Sequence, residues 1–244
     1  MGASSGTKRR LPRRDARRAA EEAIAAANEL TNDDFVSSYI KPSASSWPSW
    51  THPATHEAHA LSLRAPADMA EADLEACFAL VERTSGDDYR RAAGGWHPKE
   101  KRAEMRSPGL RYILVRRAET EGPNPDKAAA AAAEKDDGEI RAFASFMPTW
   151  EDDHPVVYCY EIHLVPELER TGLGRLLMGH VTAAADRIGA LDKTMLTCFV
   201  ANAHARRFYE RLGFDVDESS PRPRRLRDRV VEPEYVILCR STSR

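Results

Sequence analysis

Residues 156–185 read VVYCYEIHLVPELERTGLGRLLMGHVTAAA. Val156 to Val165 is an apolar and aromatic run with β-branched residues, and Pro166 ends it. Leu173, Leu176, Leu177, His180, Val181 and Ala184 then recur on one helical face. The stretch predicts a strand, a short loop, and a helix from Gly172 to about Ile188. A helix start presents unpaired N–H groups and the positive end of the helix dipole. Gly172 and Gly174 keep side chains away from those amides, and Arg170 and Arg175 add positive charge. A diphosphate is the natural ligand of such a turn. An ordinary strand–helix turn with two glycines is the other reading of these residues alone. No Gly-Lys-Ser/Thr follows, so this is not a P-loop, and the third glycine of the dinucleotide fingerprint is missing.

Outward from this segment, Thr194 to Val200 reads as a strand and Asn202 to Leu212 as a helix closed by Gly213. Phe214-Asp215-Val216 and Tyr235 to Cys239 read as closing strands. Upstream, Glu139 to Pro148 and Arg111 to Arg117 are predicted strands, as is a short run at Leu61-Ser62-Leu63. Asp68 is the predicted N-cap of a helix whose Leu74, Phe78 and Val81 carry it to about Arg83. Pro98 to Met105 and Asp15 to Leu30 are further predicted helices, and residues 41–56 a loop. Residues 119–138 hold Gly and Pro, then six alanines and acidic residues, a low-complexity insertion on a hairpin. Helices, a strand meander, then strand–helix–strand–helix–strand give an α/β or α+β class.

The chain has 244 residues, 42% apolar and 30% charged, enough for one cored domain with extensions. Net charge is −2, but the charge is uneven. Residues 8–18 are basic, and so are Arg222 to Arg229. The first run fits a nuclear import signal, a ribosome or nucleic-acid contact, or a solvated tail, and the second reads as a loop that covers a bound peptide or is disordered. The four cysteines stand singly, which excludes zinc ribbons and CxxC redox motifs and suits a reducing compartment. The loosely spaced His52, His56 and His59 give no metal pattern, so no metal is expected. No apolar run reaches the roughly 18 residues of a membrane span, so no membrane partner is expected.

Asn202, Ala205, Phe208, Tyr209, Gly213 and Phe214 spell N-x-x-A-x-x-F-Y-x-x-x-G-F, about 35 residues after the two-glycine loop. Together the two motifs resemble the GNAT acetyltransferase superfamily, with Glu169 standing where Gln or Arg is usual. The resemblance implies acetyl-CoA as co-substrate and a mixed central sheet with a splayed parallel strand pair flanked by helices. It also implies cofactor contacts from Ile162, His163, Leu164, Arg170, Thr171, Gly172, Leu173, Gly174, Arg175 and Asn202. Residues 1–14 would then be a disordered basic arm, 15–60 a helix-and-loop extension, and 61–244 the acetyltransferase domain.

Further pieces narrow the likeness: Tyr89 seven residues before Trp96, KEKRAEM at 99–105, YCYE at 158–161, MLT-x-F at 195–199, and D-x-SSP at 217–221. These resemble the N-terminal acetyltransferase D family, which acts on histone tails beginning Ser-Gly-Arg-Gly. Carried over by position, Tyr89, Ile113, Tyr160, Thr197, Ser219 and Tyr235 line the peptide site, and histone N-terminal peptides are the expected partners. A monomer of nucleus and cytoplasm is implied. Thr149 stands where that family has an acidic residue, and Gly94 where it tends to have Trp. Glu151, Asp152 and Asp153 offer negative charge nearby. A GNAT enzyme for lysine side chains or small amines, and a non-catalytic GNAT-fold binding module, are the competing readings.

An α-amine, pKa about 7.7–8.0, must shed a proton to attack a thioester. Glu161, directly or through a water, is the candidate base, with Tyr158 or Tyr160 placing that water. Tyr209 is the candidate proton donor to the departing thiolate. Strand alternation sets Tyr158 and Tyr160 on one face and Cys159 and Glu161 on the other, and a bulge would bring both sets to the cleft.

Overall fold

The structure, a computed structural model, describes residues 13–41, 47, 49–118, 138–225, 227–228 and 230–243. The expected disordered arm falls almost wholly outside these residues, as does all but Gly138 of the low-complexity insertion. The described elements are α1 (Arg13–Glu29), α2 (Asn32–Phe35), a π turn at Val36–Ile40, β1 (Trp50–Thr51), β2 (Ala58–Arg64), α3 (Glu71–Arg91), α4 (Pro98–Glu104), β3 (Arg111–Arg117), β4 (Ile140–Glu151), β5 (His154–Leu164), α5 (Leu173–Arg187), β6 (Lys193–Phe199), α6 (Ala203–Arg211), β7 (Asp215–Val216), β8 (Arg224–Arg225), β9 (Val230–Val231) and β10 (Tyr235–Ser241).

Eight strands form one mixed sheet in the order β1-β2-β3-β4-β5-β6-β10-β7. Every neighbouring pair is antiparallel except β5 and β6. Those two run parallel only from Val156–Lys193 to Cys159–Leu196. From Tyr160 onward β5 stays paired to β4 while β6 diverges, which is the expected splay. A crossover of the usual kind, α5, joins the parallel pair. Leu173, Leu177, Val181 and Ala184 of α5 are all fully buried, as the 3.6-residue periodicity requires. Helix α5 packs against β4, β5 and β6, while α3 packs against β4 and β5.

Several boundaries differ from the sequence reading. Helix α3 begins at Glu71 behind Ala70, without a side-chain cap, and Asp68 instead accepts a 2.7 Å bond from Asn32. It also continues two turns past Arg83 to Arg91, through TSGDDYRR, which has almost no apolar periodicity. Pairs such as Arg90–Asp87 at 2.9 Å, and Tyr89 packed on Trp96 and Phe199, hold those turns. The β4–β5 hairpin is longer than expected because its tip, Asp152-Asp153, takes the left-handed region at φ 45° and 62°. Residues 222–229, expected as loop, contribute β8 to a small hairpin with β9. Strand β2 begins at Ala58 and pairs with β1 on its outer side.

Candidate active site

The YCYE segment owes its geometry to a bulge. On β4, Ser145 faces Glu161 and the next residue, Phe146, faces Cys159, so Tyr160 is the extra residue on β5. Met147 faces Tyr158. Alternation along β4 puts Ser145 and Met147 on one face, so Glu161 and Tyr158 share it too. In a regular strand the two, three residues apart, would lie on opposite faces. Tyr160 joins them, its ring 5.1 Å from that of Tyr158. Cys159 points the other way, against Met178 of α5 at 3.9 Å. Burial pushes the Cys159 thiol up to about 12 and that of Cys198 to about 11, so neither is a thiolate nucleophile at neutral pH.

Glu161 is 7% exposed and is held by residues from three elements. Its Oε1 accepts from Lys101 Nζ of α4 at 2.8 Å and from Tyr89 Oη of α3 at 3.2 Å. Its Oε2 lies 2.5 Å from His163 Nε2 on its own strand. Burial pushes the carboxyl upward, but the His163 and Lys101 charges and hydrogen bonds outweigh it and hold it at about 2. Lys101 is itself 8% exposed; burial acts against its charge, yet Glu161 prevails and raises its pKa. Its ammonium also meets Glu104 at 2.7 Å and sits 5.1 Å over the Tyr89 ring.

A groove of about 550 Å³ opens beside this cluster. Its walls are Ile162, His163 and Leu164 of β5, Thr84 and Ser85 of α3, the 169–175 turn, and α6 with Asn202 before it. The floor is the start of α5. Gly172 is its N-cap at φ 92°, and no side chain caps the helix, so its first-turn amides point outward uncovered. A Cβ at Gly172 would meet nothing within 4 Å, whereas one at Gly174 would meet Phe208 at 3.4 Å. Arg170, also in the left-handed region at φ 59°, and Arg175 flank the turn. Asn202 caps α6 by accepting from Ala205 N at 3.0 Å, and its amide N–H₂ group reaches Asp88 at 3.4 Å. Tyr209 lines the inner end, and burial, reinforced by Cys159, Cys198 and Glu161, raises its phenol well above 10, so it stays protonated.

Thr171 and Leu173 do not face the groove. The Thr171 hydroxyl closes the turn on Leu168 O at 2.6 Å, and Leu173 is wholly buried in the core. Thr84, Ser85, His204 and Arg211 do line it and were not anticipated. No local signal marks them, because each reaches the groove from a helix packed there by the rest of the chain.

The expected peptide residues are gathered on the Glu161 face, with one exception. Tyr89 meets Phe199 edge-on at 5.1 Å, and Phe199 pairs with Tyr235, 42% exposed. Thr197 is exposed and bonds Tyr158 Oη at 2.6 Å; burial lifts that phenol to about 12. Ser219 sits in a turn tied to Asp217 Oδ1 by its backbone N at 3.0 Å and its hydroxyl at 2.8 Å, beside β10. Ile113 is the exception. It is 0% exposed and pairs with Ala144, one residue out of phase with Ser145, so it lies on the opposite face. The β4 alternation places Thr149 and Glu151 on the Glu161 face, and burial, reinforced by the Glu151 charge, raises both phenols.

Residues 95–214 match the family described as Acetyltransferase (GNAT) family. The chain is similar to N-alpha-acetyltransferase 40 of Saccharomyces cerevisiae, 32% identical over 202 residues, covering 68% of this chain and 64% of that protein. It thus spans less than two thirds of that relative's length. Among solved structures it is similar to Arabidopsis thaliana NAA60 in complex with a bisubstrate analogue, at 11% identity and TM-score 0.49 over 75% of this chain and 99% of that one. It is also similar to the ribosomal-protein-S18-alanine N-acetyltransferase of Escherichia coli, at 18% identity and TM-score 0.46 over 75% and 95%.

Proposed function

We propose that this chain, whose residues 95–214 match the family described as Acetyltransferase (GNAT) family, transfers acetyl from acetyl-CoA to the N-terminal α-amine of peptides beginning Ser-Gly-Arg-Gly, as histone tails do. One observation carries the reading: the bulge at Tyr160 turns Tyr158, Tyr160 and Glu161 together onto the face beside Tyr89, where β5 and β6 part. The likeness to a protein named as an N-alpha-acetyltransferase supports it.

The groove suits the co-substrate. The uncapped amides of α5, with Gly172, Gly174, Arg170 and Arg175, would hold a diphosphate. The β6-facing edge of Ile162–Leu164, without a strand beside it, would take amide groups of an extended arm. Asn202, Thr84 and Ser85 stand along the same path. Bound acetyl-CoA supplies an activated thioester.

The chain's own residues then manage the amine and its proton. With a pKa near 8, roughly a quarter of such an amine is neutral around pH 7.4. A carboxylate held at about 2 is a weak base, so Glu161 steers the departing proton toward water rather than keeping it. Tyr158 and Tyr160, protonated at neutral pH, orient the peptide end and that water. Tyr209, whose buried phenol retains its proton, donates a hydrogen bond to the departing sulfur. Attack is direct, since both nearby thiols are held protonated. Glu151, on the same face as Tyr158, offers negative charge to a basic third residue where Thr149 offers none.

The test is acetyl transfer to two Ser-Gly-Arg-Gly peptides, one with a free and one with a blocked α-amine. Transfer to the free peptide alone is expected. Turnover of the blocked peptide would shift the activity to side-chain amines, and no transfer or acetyl-CoA binding at all would leave a binding module.

A further inference from the structure

The KEKRAEM stretch is absorbed by nothing above except through one side chain, Lys101. Helix α4 is only seven residues long and mostly exposed, yet it sends this lysine inward to 8% exposure, onto Glu161 at 2.8 Å. From the other side His163 Nε2 reaches Glu161 Oε2 at 2.5 Å. Its Nδ1 lies 2.5 Å from Thr84 Oγ1, and that hydroxyl donates its proton to Leu80 O at 2.8 Å. Thr84 has no second proton to give, and a carboxylate only accepts. Both ring nitrogens of His163 thus face acceptors, an arrangement met in full when the ring donates from both sides.

We propose that Lys101 and His163 are positioning residues for the acetyl transfer: two buried cations that grip Glu161 from opposite sides and keep it ionised and fixed beside the amine. The proposal rests on the N-terminal acetyltransferase reading and deepens it. The groups facing the carboxylate are Lys101 of α4, Tyr89 of α3 and His163 of β5; Glu104 faces Lys101, and Thr84 and the Phe143 ring, 5.5 Å away, face His163. Two cations against Glu161 and Glu104 leave the cluster neutral, which suits its burial. His163 comes from the strand of Glu161 itself, whereas Lys101 comes from α4, 60 positions away, so the full grip forms only in the assembled fold. Through Thr84 it also touches the wall of the cofactor groove. The lowered pKa of Glu161 is the electrostatic mark of this arrangement.

Removing one cation should let the carboxyl titrate nearer neutrality, because burial, which favours the protonated acid, is then opposed by one charge instead of two. In the wild type, kcat/KM should follow only the amine's ionisation between about pH 5.5 and 9. In Lys101→Met, and in His163→Gln, turnover should fall about tenfold or more at neutral pH; for Lys101→Met, which does not line the groove, the KM for acetyl-CoA should stay within about twofold. A second ionisation should appear on the acid limb. Lys101→Arg, which keeps the charge, should restore turnover and remove that second break. A side chain that merely packs would lower activity without adding an ionisation, and Arg would rescue no better than Met.

Carbon-13 titration of the Glu161 carboxyl gives a readout independent of turnover: ionised down to about pH 4 in the wild type, with a midpoint raised in both charge-removing variants. If the carboxyl midpoint is the same in wild type, Lys101→Met and His163→Gln, the clamp is refuted. If the midpoint moves as stated while no peptide is acetylated, the clamp stands and the proposed activity falls. Should Lys101→Met fail to fold, the His163→Gln titration and the Lys101→Arg profile decide the matter.

Discussion

Replacing Glu161 with Gln removes one charge from a buried side chain with three hydrogen-bond partners, and its cost can be worked from the structure. The carboxylate accepts from Tyr89, Lys101 and His163, at 7% exposure. Its folded pKa of about 2 lies below the ordinary 4.5. A depressed carboxylate stabilises the fold above its unfolded pKa, and that stability is lost as pH falls from 4.5 toward 2. At about 1.4 kcal/mol per unit, the shift is worth about 3 kcal/mol at neutral pH. Breaking a buried pair by removing one partner costs a similar ~3–5 kcal/mol, because Lys101 is left with Glu104 and the Tyr89 ring alone. For a protein of this size each kcal/mol moves the melting midpoint by about 2–4 °C. Glu161→Gln should therefore melt about 6–12 °C below wild type at pH 7, followed by circular dichroism. The gap should narrow steadily below about pH 4.5, where the wild type loses the same interaction by protonation. Turnover should drop at least about tenfold while acetyl-CoA affinity holds, since Glu161 is not among the groove's walls. A neutral-pH shift of under about 2 °C, or a gap that stays constant in acid, would refute the buried ion network.

Gly172→Ala puts a Cβ on a residue at φ 92° with open space around it, so the penalty is backbone strain of about 1–2 kcal/mol with no clash. Calorimetry should show acetyl-CoA binding weakened several-fold along with a modest loss of melting temperature; unchanged binding would move the diphosphate away from the start of α5. Asp217 is 5% exposed; burial pushes its carboxyl up, but bonds from Cys239, Lys193 and Ser219 hold it well below the usual range. Asp217→Asn strands Lys193, 8% exposed and paired at 2.5 Å, and frees the Ser219 turn. A stability loss of about 3 kcal/mol with raised KM for peptide and unaltered KM for acetyl-CoA is expected, and steady-state kinetics in both substrates would show whether that turn belongs to the peptide site.

Much of the scaffold is written in local pattern. The apolar run 156–165, the helical stripe from Leu173 to Ala184, Asn202 as a cap and Gly213 at φ 83° are each readable within about a dozen residues. Their reading as strand, helix and turns rests on periodicity and turn chemistry that need no tertiary partner. The readings that failed share one trait. Asp68 was expected to cap α3 but bonds Asn32 instead, 36 residues away in sequence. The last two turns of α3 carry little amphipathic signal and are fixed by packing and ion pairs. Ile113 was assigned to the peptide wall, yet its register with Ala144 puts it inside the sheet on the other face.

By itself, then, the chain's order of residues determined that a helix with a bare, glycine-lined start follows a YCYE strand, because backbone geometry obeys near neighbours. Which face Tyr158 and Glu161 share was decided by a one-residue slip against β4, a partner strand. The charge state of Glu161 was decided by His163 beside it and by Lys101, 60 positions away, brought in on α4. Electrostatic energies depend on distance and burial, and both exist only once those elements have packed.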